Sequence, residues 1–280
     1  MRVTVVLCAL SNGEKLPPFI IFKGKADKPS KVRNGVHEAW VASNANAWMT
    51  NDLLREWFKL VWLNAKANRG SRKYLLYDSF AAHLNTDNVK YLTDRNNLVT
   101  IIPGGCTPIL QPLDVMINKP FKDKLRPLFK KWFNQEAELG NLPKIKTPSK
   151  DLFVSWVMEA WNEVDANIVR QSFKSASITN SLDGSESYLC NKFINDSTSI
   201  KDYVEELIKN YVDNDDVDEP YEDLDQLKEE VRNNEAITYD LPQDVILSSK
   251  YMYIFLSTLY TFSFRAMDWK RISQTRKVQI

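Results

Sequence analysis

The sequence predicts an α/β fold in which helices pack on a mixed β-sheet. Two observations predict it: the chain opens with a meander of three short strands, and strands then alternate with amphipathic helices. The composition fits a folded chain, because 44% of the 280 residues are hydrophobic and 26% are charged. These values exclude a wholly disordered, collagen-like or multi-span membrane protein.

The N-terminal segment is predicted to form a β-hairpin. Residues 2–10 have the pattern of a strand, Asn12-Gly13 that of a tight turn, and residues 16–22 that of a second strand. A signal peptide is the alternative for this apolar run, but the alternation and the turn favour the hairpin. The basic segment 23–33 is predicted to be a loop, and a short strand follows at residues 40–41.

A first helix is predicted to begin after Thr50, which can cap its N-terminus. Its apolar residues fall on one face: Leu53, Leu54, Trp57, Leu60 and Val61. A second helix, over residues 86–95, is predicted between short strands at residues 74–77 and 98–102. A long helix begins near Pro112 and runs through the 120s and 130s, and Pro120 and Pro127 are expected to kink or interrupt it.

After the long helix, the composition of the chain changes twice, first to an acidic segment and then to an apolar one. Residues 151 to about 211 are predicted to be helical, with ten acidic residues following between 213 and 230. The uncharged run 251–264 is shorter than the roughly 20 residues that span a bilayer, so a membrane anchor is disfavoured. Four segments result: a core (1–140), a helical extension (141–212), an acidic linker (213–244) and an apolar and basic tail (245–280).

Charge is unevenly distributed along the chain. Residues 1–150 hold 24 basic and 12 acidic residues, whereas residues 151–280 hold 13 basic and 24 acidic residues. A basic half predicts a polyanionic partner. The three cysteines, Cys8, Cys106 and Cys190, have no disulfide or metal-binding spacing, which favours a reducing compartment.

Two carboxylates are the best candidates for catalysis. Asp78 ends an apolar strand, and Asp114 follows Gln111-Pro112-Leu113 in the first turn of the long helix. Such carboxylates can converge on Mg²⁺, which prefers hard oxygen ligands. Each placement also has a structural explanation, since Asp caps turns and is favoured by the dipole at a helix start. Position alone therefore leaves both interpretations open.

Basic residues follow Asp114 directly. They could bind phosphate beside the carboxylates, or they could be the solvated face of an ordinary amphipathic helix. The candidate nucleic-acid-binding residues are Lys119, Lys122, Lys124, Arg126, Lys130 and Lys131.

Four strings carry a resemblance to a known family. They are RVTVVLCALSNGEKLPPFIIFKGK, LLYDSFAAH, IIPGGCTPILQPLDVMINKPFKDKLRPLF and SFKSASITNSLDGSE, and together they cover about residues 2–186. They resemble the DDE superfamily endonucleases of pogo/Tigger-type transposases and their centromere protein B-like and jerky-like relatives. The resemblance implies an RNase H-like fold, a nuclear location, DNA as partner, and Mg²⁺ or Mn²⁺ as cofactor.

The resemblance also implies roles for individual residues. Asp78 and Asp114 match the second and third acids of a metal-binding triad, and His83 matches a histidine that borders the site. The first acid of such families lies on a strand upstream of Arg2, so that strand and its carboxylate are expected to be missing here. We therefore expect impaired cleavage and an unpaired strand edge in the sheet.

Two functional hypotheses remain open at this point. One is a transposase-derived endonuclease domain that binds nucleic acid, whose intact relatives hydrolyse phosphodiesters with two metal ions and transfer strands. The other is a domesticated, non-catalytic DNA- or chromatin-binding protein. A homo-oligomeric state is left open by the sequence, and a membrane partner is not expected.

Overall fold

A mixed seven-stranded sheet with helices on both faces organises the chain in the computed structural model. The structure describes residues 1–65, 73–78, 85–102, 106–139 and 147–190, and the backbone of 253–263. The α/β fold class predicted from the sequence is confirmed. His83, the predicted acidic linker and most of the predicted tail lie outside the described residues.

The sheet order is β3-β4-β2-β1-β7-β5-β6. Its strands are β1 (Arg2–Leu10), β2 (Phe19–Lys23), β3 (Asp27–Asn34), β4 (His37–Asn44), β5 (Lys73–Asp78), β6 (Asn97–Ile102) and β7 (Tyr253–Ser263). β1 is antiparallel to β2 and β7, and β5 is parallel to both β6 and β7. β2 is parallel to β4, and β3 is antiparallel to β4.

The predicted hairpin between β1 and β2 is present, and its turn follows the chemistry of its residues. Gly13 has a φ of +96°, and a Cβ there would lie 3.0 Å from the backbone carbonyl oxygen of Ala166. Arg170 donates from Nη1 to the carbonyl of Asn12 at 2.9 Å. Glycine is therefore required both by the turn and by the close approach of a helix.

Two sequence-based expectations fail in the sheet. The basic segment 23–33, expected to be a loop, contains most of β3, because it finds a long-range partner in β4. The expected unpaired edge is also not seen, because Tyr253–Ser263 pairs with β1 on one side and β5 on the other. An interior strand of the sheet, β7, thus comes from the segment that sequence patterns placed in a tail.

Helices form one layer on each face of the sheet. The first layer, here the α1–α2 layer, contains α1 (Asn51–Trp57), a π-helical segment (Phe58–Trp62) and α2 (Thr86–Thr93). Thr50 caps α1 as predicted, since its side chain accepts from the backbone N–H of Leu53. No described helix is long and apolar enough to cross a membrane.

The opposite layer, here the α4–α6 layer, contains α4 (Asn118–Glu138), α5 (Lys150–Asn162) and α6 (Ala166–Ser175). It is preceded by the short helix α3 (Thr107–Leu110) and a π-helical turn (Leu113–Ile117). Pro127 lies inside α4 without ending it. Pro120 lies just after the π-helical turn, and the chain continues from that turn into α4 without a break.

The core consists of two apolar clusters separated by the sheet. In β1, Val3, Val5 and Leu7 pack toward the α4–α6 layer, and Val6 and Cys8 belong to the other cluster. Alternation also divides β5, whose Tyr74 and Leu76 lie in the first cluster and whose Leu75 and Tyr77 lie in the second. Because both faces of β5 are buried, the strand and the Asp78 that ends it are held firmly in place.

Candidate active site

Asp78 is the last residue of β5 and lies where the buried part of the strand ends. The five residues before it are buried, and Asp78 itself is partly exposed. Its register partner on β6 is Ile102. On the other side Tyr77 pairs with Leu256 of β7, whose sequence YIFLSTLYTFS contains no acidic residue.

Asp114 lies in the π-helical turn that leads into α4. Pro112 starts this turn with a φ of −51°, which suits the first position of a helix. The turn is anchored by four core residues at intervals of four: Leu113, Ile117, Phe121 and Leu125. π-Helical segments occur frequently at functional sites, and this one directs Asp114 away from the apolar core.

The two predicted carboxylates are close enough to influence each other. Burial, and to a smaller extent the negative charge of Asp78, raises the pKa of Asp114 to about 7. A hydrogen bond from Asn118 and the charge of Lys122 act in the opposite direction. Asp114 keeps an exposed outer surface, so its carboxyl is accessible from solvent although most of its surroundings are protein.

Asn118 and Lys122 extend the site along α4. Asn118 donates from Nδ2 to Oδ1 of Asp114 at 2.7 Å. Lys122, one turn further, has a pKa lowered to about 8 by burial and by the nearby Arg126, while Asp114 opposes that shift. The sequence predicted Lys122 as a phosphate-binding residue, and the structure places it in the electrostatic field of the carboxylates.

Sequence patterns missed two amides of this site. Asn118 is 4% exposed and Gln111 is fully buried. Oδ1 of Asn118 and both amide atoms of Gln111 have no hydrogen-bond partner in the described part of the chain. A signal was present, since Gln111 and Asn118 lie three residues before and four residues after Asp114, which is helical spacing.

The predicted nucleic-acid-binding residues do not form one surface. At about 100° per residue, Lys119, Arg126 and Lys130 fall on one side of α4, and Lys124 and Lys131 fall on another. Asp123 pairs with Lys119 at 2.8 Å and with Arg126 at 3.7 Å. Lys124 instead pairs with Glu163, beyond the end of α5, at 3.0 Å.

The residues around Asp114 fit a hard divalent cation. Asp78 raises the proton affinity of Asp114, and a positive charge beside Asp114 would offset that effect. Asn118 adds a buried carbonyl oxygen without a partner, and such an oxygen is a donor that hard cations accept. Within the described residues, no group of three His, Cys, Asp or Glu side chains is positioned to hold a metal ion.

The chain is similar to a known protein family and to several curated proteins. A family model described as DDE superfamily endonuclease matches residues 1–173. The human protein "Pogo transposable element with KRAB domain" is 34% identical over 192 residues, which is 68% of this chain and 31% of that protein. The mouse protein of the same name is 34% identical over 186 residues, which is 65% of this chain and 30% of that protein.

A more distant relative extends the comparison. The human "Pogo transposable element with ZNF domain" is 27% identical over 206 residues, 73% of this chain and 14% of that protein. The matched region therefore spans less than a third of the length of each of these relatives. No solved structure matches the chain. With its mixed sheet, its RNase H-like arrangement and its match to the family over residues 1–173, this chain belongs to the DDE superfamily endonucleases and is related to pogo transposable element proteins.

Proposed function

We propose that this chain is a transposase-derived, DNA-binding endonuclease domain whose Asp78 and Asp114 hold a divalent cation, Mg²⁺ or Mn²⁺. The observation that carries the proposal is the position of Asp78 at the end of β5, close enough to Asp114 for its negative charge to contribute to the raised pKa of that residue. The basic helix α4 follows the pair directly. A DNA partner also supports the proposal of a nuclear location.

Different residues of the chain would have different roles at this site. Asp78 and Asp114 supply the negative charge that holds the cation, and Asn118 keeps one oxygen of Asp114 in place. The exposed basic side chains of α4 supply positive charge that binds the phosphates of DNA. When bound, the cation would activate water and stabilise the leaving oxygen of a phosphodiester.

A second candidate function is DNA or chromatin binding without cleavage. It is favoured by the observation that, among the described residues, no third His, Cys, Asp or Glu side chain joins the pair to hold a metal ion. Two-metal chemistry needs more ligands than Asp78 and Asp114 provide. We therefore propose that cleavage by this chain is weak, even where DNA binding is retained.

Mn²⁺ titration and duplex DNA binding test the proposal on the full 280-residue chain. Asp78→Asn and Asp114→Asn should each weaken Mn²⁺ binding at least tenfold and leave DNA binding at 0.15 M salt within about threefold. Unchanged Mn²⁺ binding in both variants would contradict the site. Nicking of supercoiled plasmid by the unmodified chain that is lost in both variants would favour the endonuclease over the binding protein.

The role of the basic side chains of α4 in DNA binding needs a separate test. A variant with Lys119, Arg126 and Lys130 replaced by Ala should reduce the slope of log K against log salt by up to about 2.7, at roughly 0.9 per lost phosphate contact. The matched control replaces Lys124 and Lys131, on the other side of the helix. Equal loss in both variants would mean that the whole helix, and not one side, faces the DNA.

A further inference from the structure

We infer that Asn118 is a positioning residue of the carboxylate site, which orients Asp114 and offers its side-chain oxygen to a hydrated divalent cation. This inference rests on the proposed function of the Asp78–Asp114 pair. It adds an uncharged donor to a site in which sequence patterns identified acids alone. The ligand class is a hard cation with its bound water.

The hydrogen bond between Asn118 and Asp114 sets the geometry. Nδ2 of Asn118 donates to Oδ1 of Asp114 at 2.7 Å, which leaves Oδ2 of Asp114 for another partner. Because an amide group is planar and rigid, this bond also fixes Oδ1 of Asn118 near the same carboxylate. The neighbouring Ile117 and the nearby Phe121 are fully buried, so the backbone that carries Asn118 is anchored in the core.

The unpartnered oxygen points to a ligand. Asn118 is 4% exposed, so bulk water has little access to Oδ1, and no described residue donates to it. Gln111, fully buried on the other side of Asp114 along the chain, has two further amide atoms without partners. Native proteins satisfy nearly all buried polar groups. The unpartnered oxygen of Asn118, on an amide whose nitrogen contacts Asp114, therefore indicates a site for bound water or an ion.

The chemistry of the amide suits this task. A carbonyl oxygen accepts hydrogen bonds from water bound to a cation and can ligate a hard cation directly. Residues that orient a metal-binding side chain typically change metal affinity by 10- to 100-fold when they are replaced. A purely structural hydrogen bond to Asp114 would instead affect stability and leave cation binding unchanged.

A Mn²⁺ titration, monitored by electron paramagnetic resonance, tests the inference on the full chain. Asn118→Ala should weaken Mn²⁺ binding by about 10- to 100-fold. Asn118→Asp keeps a side-chain oxygen at Oδ1 but loses the N–H donor to Asp114. It should bind Mn²⁺ at least tenfold more tightly than Asn118→Ala. Asn88→Ala is the matched control, because Asn88 is a buried amide in the α1–α2 layer, and it should stay within twofold of the unmodified chain.

NMR of the unmodified chain supplies a readout that needs no variant to fold. Addition of Mg²⁺ should shift the side-chain amide resonances of Asn118 and leave those of Asn88 in place. Absence of that shift, or Mn²⁺ affinity of Asn118→Ala within twofold of the unmodified chain, would overturn the inference while the proposed function stands. If the unmodified chain binds no Mn²⁺ and Asp114→Asn changes nothing, the inference and the proposed function both fail.

Discussion

The two helical layers bury polar amides in different ways. On the α1–α2 side of the sheet, Oδ1 of Asn97 in β6 accepts from Nε1 of Trp62 at 3.0 Å, and its Nδ2 donates to the carbonyl of Arg95 at 2.8 Å. Asn88 is equally well satisfied, by Arg55 at 2.6 Å and by the carbonyl of Asn51 at 3.1 Å. On the α4–α6 side, Gln111 and Asn118 keep unpartnered atoms, and the amide of Asn118 contacts Asp114.

This difference distinguishes buried amides that stabilise the packing from buried amides that are available to a ligand. A buried amide with both ends paired adds specificity to the packing and leaves nothing for a ligand. A buried amide with an open end carries a desolvation cost that the fold does not offset. The contrast assigns stability to the α1–α2 layer and ligand binding to the α4–α6 layer, and each assignment can be broken by experiment.

The largest effect is expected from Trp62→Ala. Trp62 is fully buried, stacks on Trp57 with a centroid separation of 6.5 Å, and donates to Asn97. Removing a buried Trp typically costs about 3–5 kcal/mol in the free energy of unfolding. Urea denaturation measures this loss. A cost below about 1 kcal/mol would mean that the α1–α2 layer is not the stabilising side.

A smaller effect separates the two kinds of amide directly. Asn97→Ala should lower the free energy of unfolding by about 1–3 kcal/mol, since it leaves Nε1 of Trp62 buried without its acceptor. Asn118→Ala should cost less without metal, because it also removes an oxygen that has no partner. Urea denaturation in EDTA compares the variants. Equal costs would remove the distinction between the layers.

The pH dependence of stability should come partly from Asp114. Its carboxyl holds a proton up to about pH 7 in the folded chain, against an ordinary value of 3.8. Between these values the folded state binds more protons than the unfolded state, so this group lowers stability as pH rises. Asp114→Asn should remove that decline, and Asp78→Asn should shift it to lower pH.

Metal-free urea denaturation at pH 4.5 and pH 7.5 measures this contribution. The unmodified chain should lose stability relative to Asp114→Asn between the two values. Parallel behaviour of the two proteins would show that Asp114 does not retain its proton in the fold.

The smallest effect concerns the exposed ion pair between Lys124 and Glu163. Both side chains are about half exposed, at 51% and 46%, and solvent screens the 3.0 Å contact. A double-mutant cycle with Lys124→Ala and Glu163→Ala should give a coupling below about 1 kcal/mol, falling further in high salt. A coupling above 2 kcal/mol would show that charge pairs also stabilise the α4–α6 layer.

Local patterns predicted much of the fold correctly. The Asn12-Gly13 turn, the Thr50 cap and the strand ending at Asp78 are present, because each depends on residues close in sequence. α5, within the segment predicted to be helical, buries its apolar residues as a unit: Phe153, Trp156, Val157, Ala160 and Trp161. The positions of Asp78 and Asp114 also follow from local rules, one at a strand end and one at a helix start.

Other features could not be read locally. β3 is largely polar and forms through its pairing with β4, so its sequence has no apolar alternation that would predict a strand. Pro127 remains inside α4, whose packing through Phe121 and Leu125 holds the helix against the sheet. The amides of Gln111 and Asn118 have ordinary spacing, and their significance depends on burial without partners.

Short-range sequence patterns were enough to predict the alternating strands and helices, the caps and turns, and the two carboxylates with a basic helix after them. These follow from backbone preferences, side-chain periodicity and charge, which act over a few residues. The folded chain alone shows that Tyr253–Ser263 joins β1 to β5, that Asp78 raises the pKa of Asp114, and that Asn118 keeps a buried oxygen without a partner. Strand pairing and desolvation depend on which distant residues meet, and that information exists only in the folded chain.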